Sequence, residues 1–226
     1  MSNLTHLWGI FLGTFIGLLP IINPLAAAPT FLAMTEGDSE AWRREQAFKG
    51  CLYMVVILVS FLVGGTFIMG FFGISIPGLR IAGGILLTGI GMQMLAAARG
   101  AAAQPDGEER EAARRKADIS FSPLAMPMLS GPGSIAVTIG FTSLAEDWVD
   151  YVGIILGIVA VAVVTYLVLR VAGRIVKFIG PVGVSALTKI MGFLIMCIGV
   201  QFVVNGVLGI ATDPELLRGI LSVLRR

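Results

Sequence analysis

Apolar residues run through this chain in long blocks, and the charged ones gather in short clusters between them. Six blocks are almost free of Asp, Glu, Lys and Arg: Leu7–Thr35, Gly50–Gly73, Leu79–Ala98, Ile119–Ala145, Val149–Leu169 and Val182–Ile210. A helix needs about 20 apolar residues to cross a bilayer, so the pattern predicts an all-α protein with six transmembrane helices. Blocks two and three are divided only by "GISIPGLR", where Pro77-Gly78 supplies a turn and Arg80 an interfacial charge. The first block carries a conflict. "PIINPLAAAP", Pro20 to Pro29, puts three prolines inside it, and each proline costs about 3 kcal/mol in a helix interior.

The conflict recurs. Pro20, Pro24 and Pro29 have the spacing of Pro123, Pro127 and Pro132 in "SPLAMPMLSGPGS", 103 positions later. Gly84, Gly91 and Gln93 of the third block match Gly192, Gly199 and Gln201 of the sixth, 108 positions later. Three crossings per half is an odd number, so the second half must enter from the opposite side. The expectation is a 3+3 inverted repeat, an arrangement many secondary transporters use. Residues 1–98 form the first repeat, 99–118 a charged cytoplasmic linker, and 119–226 the second repeat with a short C-terminal interfacial helix.

Composition agrees with the hydropathy pattern. The chain has 226 residues, 56% hydrophobic and 13% charged, with a mean hydropathy of +0.91, which excludes an ordinary soluble domain. Basic residues fix an orientation: eleven fall in the loops around Arg43, Arg114 and Arg174, and four on the other side, at Arg80, Arg218, Arg225 and Arg226. The positive-inside rule places the richer side in the cytoplasm and both termini outside. The opening segment lacks the basic residues of a signal peptide and recurs downstream, so it reads as part of the fold. Cys51 and Cys197 lie in apolar blocks and read as packing residues. His6 has no Cys or carboxylate near it in sequence at ligand spacing, so no metal site and no cofactor are expected. Nothing suggests a nucleic-acid surface.

Inside a membrane, non-helical backbone survives only where protein or a water-filled cavity satisfies it. Asn23-Pro24 and Gly131-Pro132-Gly133 therefore mark breaks in the first and fourth spans. Pro24 and Pro132 suit the first turn of new half-helices, with Asn23 and Ser130 placed to cap them. Each half-helix N-terminus carries unpaired N–H groups and about +0.5 elementary charge, so two of them near the midplane would receive a small anion or carboxylate. Thr30, Gly131, Gly133 and Ser134 would line a small site. Gln93 and Gln201 are polar residues in the third and sixth spans, suited to a ligand or to an interhelical hydrogen bond. The span interiors hold no Asp or Glu, which weakens proton coupling. Asp118, at the mouth of the fourth span, is the nearest candidate carboxylate.

"INPLAAAPTFLAMT" and "SPLAMPMLSGPGSIA" resemble the two signature segments of the MarC family, and "GGILLTGIGMQML" extends the resemblance to the third span. That family groups multiple-antibiotic-resistance-related integral membrane proteins with small neutral amino-acid transporters. The resemblance implies a multi-pass inner-membrane transporter of glycine, alanine or similar amino acids, with the lipid bilayer as its surroundings and room for a homo-oligomer. A channel or broad efflux protein for small neutral solutes is the alternative. An intramembrane enzyme is not expected, because no His or carboxylate lies in a span interior to activate Ser130 or Ser134. The orientation is testable: in a chain with Cys51 and Cys197 replaced, Ser2→Cys is expected to react with a membrane-impermeant thiol reagent in whole cells. Protection at Ser2→Cys, with labelling of Gln104→Cys, would invert it.

Overall fold

The computed structural model describes residues 2–97, 118–142, 145 and 147–212. Most of the linker 99–118 and the expected C-terminal interfacial helix lie outside the described residues. Within them, all regular structure is helical: α1 Ser2–Ile22, α2 Pro24–Met34, α3 Glu40–Phe72, α4 Ile76–Ala97, α5 Ser120–Leu129, α6 Pro132–Phe141, α7 Trp148–Arg170 and α8 Ala172–Ala211. By length and composition, five helices can cross a membrane: α1, α3, α4, α7 and the Val182–Ala211 part of α8. The pair α5–α6, bent by 65°, brings the number to as many as six.

The expected first block is two helices. Asn23 takes φ 44° and ψ 65° between them, a left-handed conformation that Asn tolerates better than most side chains. Pro24 then opens α2, where its missing N–H removes no helical bond. The chain from Ser120 to Ser130 winds more widely than an α-helix. Leu124 N–H donates to the Ile119 carbonyl at 3.2 Å and Ser130 N–H to the Ala125 carbonyl at 2.8 Å, five residues back in each case. Ser122 and Met126 are extended, as residues preceding proline tend to be, and both the Ser122-Pro123 and Met126-Pro127 peptide bonds are cis.

Two helices begin outside their expected bounds. The hydropathy pattern begins the second span at Gly50, but α3 starts at Glu40, where the Ser39 hydroxyl accepts from Trp42 N–H at 3.3 Å. Its first turns are charged helix formers carrying Glu40–Arg44 and Glu45–Lys49 pairs at i,i+4 spacing, 3.2 and 2.7 Å apart. Apolarity alone misses them. The expected loop with Arg174 and Lys177 is also helical. It forms the first turns of α8, which bends at Gly180 (φ 69°) before entering the span.

Packing is organised by small residues. Helix α1 packs on α7 as α5 packs on α3; α2 lies against α7 and α8, and α6 against α3 and α4. The α4–α8 contact is the most extensive in the fold. A β-carbon added at Gly84 would lie 2.5 Å from the Gly199 carbonyl oxygen and 2.8 Å from Val203 N. One added at Gly91 would lie 2.6 Å from the Gly192 carbonyl oxygen and 2.7 Å from Met196 N. Side chains such as Phe31, Met54, Leu58 and Ile154 fill the interior, whereas Phe67, Phe71, Phe178 and Val182 project outward, as expected of a surface facing lipid. Gly199→Ala, whose added carbon would meet Thr88 N at 2.6 Å, is expected to cost about 1–3 kcal/mol. Gly89→Ala, with nothing within 4 Å, is expected to be neutral or to stabilise by up to about 1 kcal/mol. Thermal denaturation in detergent compares them, and equal melting points would refute the close contact.

Candidate functional site

The two breaks start a helix at Pro24, which is buried, and at Pro132, which is exposed next to the buried Ser130. Asn23 caps α2 with its side chain, Oδ1 accepting from Ala26 N–H at 3.3 Å. Its amide nitrogen Nδ2 is buried without a hydrogen-bond partner. At the second break the cap residue is Gly131, in an extended conformation with no side-chain bond. Ser130 therefore does not cap α6 as the sequence suggests. The widely wound turn carries it one residue too early, and its Oγ is buried without a partner. Among the described residues, only one other buried side-chain polar atom lacks a partner, Arg43 Nε. Each break thus combines a helix N-terminus with a polar atom that has nothing to bond to.

The other candidate residues are distributed around these breaks. Ser134 Oγ turns back to the Gly131 carbonyl at 2.9 Å. Gly133 faces α4, where an added β-carbon would lie 2.9 Å from Leu87 Cδ2, and one at Gly131 would lie 3.0 Å from the Pro127 carbonyl. At both positions a side chain would therefore meet the protein itself. Thr30 is half-buried along α2. Gln93 and Gln201 are exposed, and Gln201 Nε2 donates to Asn205 Oδ1 at 2.9 Å. Next to the second break lies a surface groove of about 360 Å³, lined by Leu79, Met126, Pro127, Ser130, Pro132, Ile135, Ala136 and Ile139. Of the candidates it gathers Ser130 and Pro132. Its wall is almost entirely carbon, so shape and apolarity select what enters it.

Both ends of the bundle carry polar contacts that sequence reasoning missed. At the start of α5, the buried Gln46 Oε1 accepts from Ile119 N–H at 3.0 Å. Beside it Asp118 accepts from Ser120 N–H at 2.8 Å and from the Ser120 hydroxyl, with Lys49 Nζ 3.8 Å away. These Ser120 hydrogen bonds, and then the Lys49 ammonium, hold the Asp118 carboxyl below its ordinary range. At the other end His6 Nε2 lies 3.2 Å from Oδ1 of Asp150, a buried carboxylate in the first turn of α7. No such neighbour is visible near His6 along the chain, because the pairing joins residues far apart in it. The Asp147/Asp150 box that caps α7 was the legible signal. Among the described residues, no three His, Cys, Asp or Glu side chains gather as a metal site.

The contacts at α5 differ in pH response. Gln46→Leu leaves a buried N–H unsatisfied and is expected to cost about 1–3 kcal/mol at every pH. Asp118 has a depressed pKa, so its contribution is complete above the ordinary carboxylate range and disappears as pH falls through its lowered value. Asp118→Asn should therefore melt below wild type at neutral pH and converge with it in acid. A constant gap between the two melting curves across pH would contradict this.

A family model described as MarC family integral membrane protein matches residues 8–211. Inner membrane protein MarC of Salmonella paratyphi A is 39% identical over 202 residues, covering 85% of this chain and 91% of that protein. The protein of the same name from Escherichia coli O1:K1 / APEC is 39% identical, and that from Citrobacter koseri 38%, each over the same shares. No solved structure matches the chain significantly.

Proposed function

Because this chain belongs to the MarC family of integral membrane proteins, we propose that it is a multi-pass inner-membrane transporter of small neutral amino acids, working by alternating access. The observation that carries this reading is the pair of helix N-termini at the breaks, each accompanied by an unpartnered buried polar atom, Asn23 Nδ2 and Ser130 Oγ. The substrate carboxylate lies between the positive helix ends, and the carbon-lined groove takes a small aliphatic side chain.

A repeated architecture supports the mechanism. Pro24 and Pro132, Glu40 and Trp148, and Gly84 and Gly192 all stand 108 residues apart, and the first two pairs are helix starts. The α4–α8 contacts exchange under the same interval: Gly84–Gly199 becomes Gly192–Gly91, Gly84–Val203 becomes Gly192–Leu95, and Gly91–Met196 becomes Gly199–Thr88, all of which occur. Contacts that map onto themselves in this way are expected of two halves related by a two-fold axis, here an inverted repeat about an axis in the membrane plane. With the Arg43 side cytoplasmic, α2 runs from the break inward and α6 outward. Alternating access then opens the Gln46–Ile119 and His6–Asp150 ends in turn.

The alternative, a channel or broad efflux protein for small neutral solutes, draws on the apolar groove at the protein surface. Ligand-induced thermal stabilisation of purified protein separates the two. Alanine and glycine are expected to raise the melting point, and alaninol, which lacks the carboxylate, is not. Ser130→Ala should leave the ligand-free melting point unchanged or higher while losing most of the alanine-induced shift. Asn23→Ala should lose the shift and also about 0.5–2 kcal/mol of stability through its cap. Equal stabilisation by alanine and alaninol would remove the carboxylate site.

A further inference from the structure

A polar stripe on α8 takes no part in the breaks or the groove. Cys197, Gln201 and Asn205 follow at four-residue spacing, and all three are exposed. Residues four apart leave nearly the same helix face, whereas Gly199, packed on α4, is two positions from Cys197 and from Gln201 and so points the other way. The stripe is therefore an outer face of the bundle. It is also deep. At 1.5 Å per residue, Gln201 lies about 15 Å from the Ala211 end and about 28 Å from the Val182 end of the stretch of α8 apolar enough to cross a membrane, well away from both ends. The Gln201–Asn205 bond uses one donor and one acceptor. Gln201 Oε1 and Asn205 Nδ2 remain, and hydrocarbon offers them nothing.

We propose that this face of α8 is the contact surface for a second copy of the chain, with Gln201 and Asn205 at its centre. The amides argue for a like partner. A two-fold axis along the membrane normal brings each stripe against itself at the same depth, and every amide supplies both a donor and an acceptor. Lipid tails supply neither. The exposed Phe193, Val204 and Leu208 on the same side of α8 provide the apolar margin. The interface stands apart from the transport reading and would exist in a channel equally well.

The test measures Förster transfer between donor- and acceptor-labelled copies in liposomes, labelled at Ser2→Cys with Cys51→Ser and Cys197→Ser, as lipid is added. Transfer is expected to fall at a defined protein-to-lipid ratio. Adding Gln201→Leu with Asn205→Leu, which keeps the span apolar and helical, should move that midpoint at least about tenfold towards higher protein content. An unmoved midpoint, or no transfer at any ratio, overturns the proposal. So does fast reaction of Cys197 in a Cys51→Ser chain with a membrane-impermeant maleimide, which would put the stripe on a water-filled path.

Discussion

A backbone N–H or C=O left unpaired in hydrocarbon costs several kcal/mol, and the placement of every break in this chain answers to that constraint. Helix α2 shows it at both ends. Its N-terminus takes Asn23 as cap, and beyond its C-terminus the Thr35 hydroxyl donates to the Phe31 carbonyl at 2.8 Å while Arg43 Nη2 donates to the Thr35 carbonyl at 3.0 Å. The entry to α5 solves the same problem from a distance, since Gln46 on α3 supplies the acceptor that Ile119 N–H lacks. Side chains from neighbouring helices thus finish what the broken helices cannot finish for themselves.

The second requirement is that the bundle hold together without help from water. Lipid tails are as apolar as leucine, so helix association rests on close packing and hydrogen bonds. Glycines at Gly84, Gly91, Gly192 and Gly199 let the backbones of α4 and α8 approach until an added carbon would collide with main-chain atoms. A contact that tight fixes depth as well as distance. Sliding one helix along the other would push side chains into the opposing backbone, so α4 and α8 set the frame on which α6 and α2, packed against them, place their N-termini.

Much of this was legible. Apolar runs of spanning length located the long helices, and the proline clusters pointed to where α2 and α6 begin. What hydropathy could not see was structure made by polar residues: the charged opening of α3, whose stability comes from capping and i,i+4 pairs, and the basic first turns of α8. The proline spacing also misled. Its 103-residue match pairs Pro24 with Pro127, whereas the helix starts pair Pro24 with Pro132. Spacing records composition, but the register is set by which proline stands at the first turn of a helix. Long-range pairs such as His6–Asp150 and Gln46–Ile119 leave no local trace, because each partner looks ordinary in its own segment.

Among the described residues, the three unpartnered buried side-chain atoms are not equivalent. Arg43 Nε belongs to a cation already facing the carbonyl end of α2, where the helix field favours its charge. Asn23 Nδ2 and Ser130 Oγ stand at N-terminal ends, where the field favours an incoming negative group instead. Leaving each unmet costs about 1–3 kcal/mol, which folding alone gives no reason to retain. Alanine would serve as well at position 130, and position 23 needs only the oxygen of its amide to cap α2. A ligand that bonds to them recovers that cost as affinity, about tenfold for each 1.4 kcal/mol. On the transporter reading proposed above, the unmet atoms would weaken the empty protein and strengthen the occupied one.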